Sequence, residues 1–358
     1  MADPASVAGD ARSKPRRSGF GRRFALCVGF FLFGILTVFA LNGALREREP
    51  TLGEAVTLRH APECEVLFIG SSFVGLQVLN AVVDAEAARL GYSLHSCKYA
   101  QVALFGFELR YRLERLLAFD WPQLKLVVVD LQRADVEMRP ANWWNPRHVE
   151  WHSVDVLPWV WRRYLRDPRE LAETLPVVRV ELLHVLARYA RAGDGLERLQ
   201  ELELARRLGF LASRAPELPA RMAPGKPAAR HGSAGKRQRV KEQAAHTRRI
   251  SKLRAARRGF RERREHADSE WPMDLRRAVR GHGHEALFFY APAWVARPMP
   301  EPAAEDGLIV LDFQDLDQYP YLYERRVRGF TQHLTPEGSA RFSKAISRRL
   351  IEIWDRWH

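Results

Sequence analysis

One stretch limits the folds open to this chain more than any other. Phe24 to Leu41 reads FALCVGFFLFGILTVFAL, eighteen residues with no charge and Thr37 as the single polar side chain. At a rise of about 1.5 Å per residue, a helix continued through Asn42 to Leu45 matches a hydrocarbon core of about 30 Å. Such a segment either spans a bilayer or is removed as a secretory leader. Leader apolar cores usually run about 7–15 residues and end at a small-x-small site. This run is longer and LNGA is a poor cleavage match, so an uncleaved anchor is expected over 24–45. Arg12, Lys14, Arg16, Arg17, Arg22 and Arg23 precede it, whereas Arg46, Arg48 and Arg59 follow it alongside Glu47 and Glu49. The positive-inside rule then places residues 1–23 in the cytoplasm and the bulk of the chain outside, beyond a short tether over 46–61.

The net charge of +14 is concentrated. Between Arg206 and Arg264 there are 19 Lys and Arg against three acids, and elsewhere 38 basic residues face 40 acidic ones. The basic character therefore belongs to a segment and not to the fold. Residues 208–264 are Pro-broken and like-charged, which predicts a disordered insertion whose second half, from Lys241 to Arg264, is a charged and marginal helix. An anionic envelope component such as a polysaccharide, an anionic lipid or a nucleic acid could meet this charge. Nucleic acid is disfavoured, because Phe210 and Phe260 are the only aromatics interleaved with it and a stacking platform is missing. Of the three cysteines, Cys27 sits in the apolar run; Cys64 and Cys97 are expected as unpaired thiols.

The remainder alternates between strand and helix patterns. CEVLFIG (64–70) reads as a strand, Val74 to Leu90 as an amphipathic helix stopped at Gly91, and Ser93 to Tyr99 as a second strand. Phe107 to Phe119 is helical by period, and KLVVVDL (125–131) reads as a strand apolar on both faces. After a mostly helical stretch over 154–207 and the insertion come a helix before Gly281, strands at 285–292 and 307–313, and a closing helix from Pro336. This is the α/β pattern of a parallel sheet with helices on both faces, in two parts, 62–207 and 265–358.

Two rim positions carry chemistry. Gly70-Ser71-Ser72 follows the first strand, where ligands bind in open α/β sheets. A serine there either caps the helix or serves as a nucleophile favoured by the helix N-terminus. His333 lies just before the last helix, whose start is marked by Thr335, Pro336 and Glu337.

FIGSS together with HLTPEGSARFS resembles the SGNH/GDSL hydrolase superfamily, and in particular its membrane-anchored bacterial members. The resemblance implies a flavodoxin-like sheet and an esterase or O-acyltransferase acting on envelope carbohydrate. It implies Ser72 as nucleophile and His333 as general base. It also implies an oxyanion hole, for which the Ala100 backbone N–H and the Gln132 side chain are the candidates. The family's acid three residues before the histidine is replaced by Phe330, so Glu324 or Asp317 would have to substitute, a Ser–His dyad would have to suffice, or the site is silent. A silent relative would be a scaffold or binding component of an envelope assembly. In NWWNPRHVEWH (142–152), His148 and His152 lack an H-E-x-x-H arrangement and a third ligand, so neither metal nor cofactor is expected.

Overall fold

The computed structural model describes residues 26–34, 36–37, 40, 51–104, 106–131, 151, 156, 158, 183, 233–262, 270–298, 307–328 and 332–354. Residues 26–34 are helical, with Phe30, Phe31 and Phe33 exposed. Among the described residues no helix is long and apolar enough to cross a membrane. Much of the expected 24–45 span lies outside them, as do 154–155, 159–182 and 184–207 of the helical extension.

Five strands form one parallel sheet: β1 (Val66–Gly70), β2 (Ser96–Ala100), β3 (Leu126–Asp130), β4 (Glu285–Tyr290) and β5 (Val310–Asp312), in the order β2-β1-β3-β4-β5. Every residue of β1 and β3 is buried, as expected for strands covered on both faces. Around the sheet lie α1 (Leu52–Leu58), α2 (Ser72–Gln77), α3 (Asn80–Arg89), α4 (Gly106–Leu117), α5 (Ser233–Glu262), α6 (Glu270–Gly281) and α7 (Pro336–Trp354). The period-two alternation of the strands sorts the core. Val66, Phe68, Val128 and Phe289 pack with Phe342 and Ile346 of α7 on one face. Leu67, Ile69, Val129 and Phe288 pack with Leu109 of α4 and Leu275 of α6 on the other.

Four expectations need correction. The stretch 46–61 is not tether throughout: Leu52–Leu58 is the helix α1, capped at Thr51 and held to β2 by Thr57 Oγ1, which donates to the Lys98 carbonyl at 3.1 Å. The single helix over 74–90 is two helices, α2 and α3, separated by extended backbone at Val78 and Leu79. The break is made from outside. The Lys98 ammonium takes the carbonyls of Gly75 and Val78 at 3.0 and 2.7 Å, and Ser343 Oγ accepts from Leu79 N–H at 2.8 Å. The expected stop does hold. Gly91 has φ +92°, and Tyr92 N–H closes on the Ala87 carbonyl at 3.0 Å, a Schellman cap.

Cys64 and Cys97 are not free thiols but a disulfide, with Cα atoms 5.8 Å apart. Cys64 lies in the turn that leads from α1 into β1, and that turn brings it to Cys97 of β2, a proximity that the sequence separation alone does not reveal.

The helix expected from Lys241 in the basic insertion begins earlier, spanning Ser233–Glu262, and packs on the domain. Its described inward stripe is Glu242, His246, Ile250, Leu253, Arg257 and Phe260, spaced three or four apart, with Leu253 in the main core. His246 meets the Trp294 ring edge-on at 5.5 Å, and Arg257 pairs with Asp312 at 2.5 Å. Residues 208–232 of the expected disordered segment lie outside the described residues.

Candidate active site

The strand order reverses direction between β1 and β3, so the crevice at their carboxyl ends is the topological switch point where ligands bind in such sheets. Asp130 closes β3 as a fully buried acid at the end of a buried apolar strand. Its Oδ2 accepts from Ser71 Oγ at 2.7 Å and lies 3.4 Å from Ser71 N. The fit is tight. A Cβ on Gly70 would come within 2.4 Å of Asp130 Cβ, so glycine is required for close approach.

Ser71 is therefore the helix cap, its Oγ accepting from Phe73 N–H at 3.3 Å. Ser72, the first residue of α2, is only partly buried. Of the two roles left open for the serine turn, capping falls to Ser71 and does not occupy the Ser72 hydroxyl.

His333 reaches the same helix from the far end of the chain. Thr335 caps α7 as expected, accepting from Gly338 N–H at 3.2 Å, which fixes the loop before it. The imidazole lies 5.1 Å from the Phe73 ring, centroid to centroid, and its Nδ1 is 3.3 Å from Gln77 Nε2. Serine helix and histidine loop, remote in sequence, are thus neighbours in space. Burial, and then the Arg328 guanidinium, push the His333 pKa below its ordinary value, so the ring is neutral at pH 7 and able to take a proton.

Arg328 is itself buried. It is sandwiched between Trp294 and Tyr323, 4.7 and 4.4 Å from their ring centroids, and donates to the carbonyls of Leu322, Pro292 and Gln332. It pins the histidine loop to the end of β4, and burial pushes its pKa down to about 10.

The expected substitute acids are engaged elsewhere. Glu324 is paired with Arg326 at 2.8 Å and Arg341 at 3.0 Å, and Asp317 is exposed. A carboxylate against the imidazole would raise its pKa, whereas His333 is shifted down. Gln77, fully buried, occupies the place of the acid at Nδ1. As placed, its Oε1 has no hydrogen-bond partner. Turned over, the amide oxygen would accept from Nδ1–H and put the ring's lone pair on Nε2, with the amide nitrogen moved to where Oε1 stood.

Ala100 ends β2 opposite Gly70, and Gln101 N–H donates to the Gly70 carbonyl at 3.1 Å. Strand alternation therefore turns the Ala100 N–H to the open edge of the sheet, away from β1. Gln132, His148 and His152 lie outside the described residues. Trp151, from the same tryptophan-rich stretch as the two histidines, is buried against Tyr111 of α4.

Sequence reasoning missed Asp130, Gln77 and Arg328. An acid ending a wholly apolar strand was a usable signal for the first. The other two are ordinary polar residues whose positions depend on tertiary contacts. Comparison with protein-family models, with curated proteins and with solved structures finds no match to this chain.

Proposed function

We propose that the chain is a membrane-anchored hydrolase or acyltransferase of SGNH type. Its flavodoxin-like domain would lie outside the cytoplasm and act on ester groups of envelope carbohydrate through Ser72 and His333. The observation that carries the reading is the contact of His333 with α2 at Phe73 and Gln77, on the helix that begins with Ser72. The Cys64–Cys97 disulfide supports the location, because disulfides persist in oxidising compartments.

In this mechanism His333 Nε2 takes the Ser72 hydroxyl proton as Oγ attacks the ester carbonyl carbon. The tetrahedral intermediate collapses with the proton passing to the departing alcohol, leaving an acyl-enzyme. Water or a sugar hydroxyl then attacks, giving its proton to His333 and releasing Ser72. Gln77 orients the ring but brings no charge to the imidazolium. Triads that lose the acid's charge lose about 10⁴ in turnover, so slow chemistry is expected.

That neutral partner also supports a second reading, a silent relative that binds without turnover. Labelling of the full chain with a fluorescent phosphonate separates the two. The enzyme reading expects labelling that Ser72→Ala abolishes and Ser71→Ala does not. Absence of labelling over a broad pH range, with the fold intact, would leave the silent reading standing.

A further inference from the structure

The two flanks of the site rim share an orientation. On the β2 side, α1 runs antiparallel to β2: Gly53 lies beside the Tyr99 ring, Thr57 Oγ1 donates to the Lys98 carbonyl at 3.1 Å, and Cys64 is bonded to Cys97. The start of α1 therefore sits at the carboxyl end of β2, on the rim that carries Ser72. The ten residues from Asn42 to Thr51 separate it from the apolar run. Fully extended, they reach at most about 35 Å.

On the opposite flank α5 crosses the same rim. Its partners Trp294, Asp312, Asp315 and Arg325 all follow or end β4 and β5. Five strands about 4.8 Å apart put the two flanks about 19 Å from each other. With its inward stripe occupied, α5 exposes Lys241, Arg248, Lys252, Arg254 and Arg258. Helical spacing places Lys241, Arg248, Lys252 and Arg258 on the side away from the domain. Glu242 is turned inward to Arg325, and Glu262 is the acid exposed at the end of the helix.

We infer that the outward basic face of α5 binds the anionic phospholipid headgroups of the membrane that holds the N-terminal helix, turning the Ser72–His333 rim towards the bilayer surface. Three observations favour a lipid surface over a soluble partner. Among its described residues the basic face bears no aromatic stripe; it shares its rim with the start of α1, the first element after the apolar run; and the short connection between them keeps that rim within reach of the headgroups, where exposed lysine and arginine are attracted. A substrate presented at the membrane surface would then meet the site directly. The inference rests on the anchored reading of residues 24–45, and not on the chemistry of Ser72.

The test uses the full chain with Cys27→Ser and Ala255→Cys, so that position 255 on the exposed face carries the free thiol for an environment-sensitive fluorophore. The protein is placed in nanodiscs of phosphatidylcholine alone, or of equal parts phosphatidylcholine and phosphatidylglycerol, and quenching by neutral acrylamide is measured. The expected result is that quenching falls by about twofold or more in the anionic discs. It should return to the phosphatidylcholine value in 1 M salt, where the screening length is about 3 Å. It should also return in Arg248→Glu/Lys252→Glu/Arg258→Glu. Equal quenching in both lipids overturns the inference. Shielding produced by soluble polyphosphate or an acidic polysaccharide, with none from phosphatidylglycerol, also overturns it in favour of a soluble polyanion. Flotation of the unlabelled chain with phosphatidylcholine vesicles reads the anchor separately, so failure of the anchored reading is distinguishable from failure of the headgroup contact.

Discussion

Replacing Gln77 by glutamate would put a carboxylate where the amide now meets His333. The amide nitrogen and Nδ1 are 3.3 Å apart, and two unit charges at that distance attract by about 5 kcal/mol at an effective dielectric of about 20. Position 77 is fully buried, so desolvation of the new carboxylate offsets much of that attraction. A net rise in the His333 pKa is expected, the usual effect of an opposite charge at this range. The sign is checkable. In the parent, burial and Arg328 hold His333 low, so phosphonate labelling should rise with pH through a limb below about 6.5 and be flat above it. In Gln77→Glu the limb should move to higher pH. The plateau rate should increase by about tenfold or more, a fraction of the roughly 10⁴ a triad loses with its acid's charge. Labelling rates measured against pH, beside a Gln77→Leu control, read both quantities. If the glutamate variant keeps the parent's limb and labels no faster than Gln77→Leu, then residue 77 does not act on the histidine, and the Ser–His–Gln arrangement fails with it.

Removing the Asp130 carboxylate by Asp130→Ala should destabilise the domain by about 1.5–3 kcal/mol, because Ser71 loses a charge-assisted acceptor at 2.7 Å in a buried site; urea denaturation measures it. Cys64→Ala/Cys97→Ala should lower stability by about 3–4 kcal/mol through the 33-residue separation that the bridge closes, and alkylation before and after reduction should find both thiols blocked in the native chain. Glu86 is held down at about 2 by its bond to Arg89, then Arg348 across on α7, against the opposing effect of burial. Its contribution should be fully present above about pH 4.5 and fade as pH falls towards about 2, so Glu86→Gln should flatten that part of an acid-unfolding curve.

The sheet was legible because buried parallel strands are apolar runs that end in small or polar residues, as VLFIG and LVVVD do. The cap at Thr335 and the stop at Gly91 were legible because each is local chemistry. The break between α2 and α3 was not, since it depends on Lys98 and Ser343, residues far along the chain that claim the carbonyls and the N–H at Val78 and Leu79. The docking of α5 was hidden for a related reason. Leu253, the partly buried Ile250 and a few paired polar residues hold it, and its arginine-rich composition resembles that of a solvated segment. Ser72 and His333 were proposed from their rim positions together with the resemblance that FIGSS and HLTPEGSARFS carry, whereas the partner at Nδ1 required knowing which side of α2 faces the histidine loop.

The connection between β3 and β4 runs from Asp130 to Glu285, yet these strands pair along their whole length. A strand–helix–strand crossover needs only about 30 residues, and lengthening it to this extent raises the entropic cost of closure by about 1.4 kcal/mol. The cost is modest at equilibrium but falls on the step that joins the two halves of the sheet. Residues 51–131 form one contiguous block, and residues 270–354 supply the other strands and the closing helix. Folding is therefore set up as a late docking of two locally connected pieces, with long-range β pairing as the slow event. The same division makes the covalent link between the halves energetically secondary to the interface it joins.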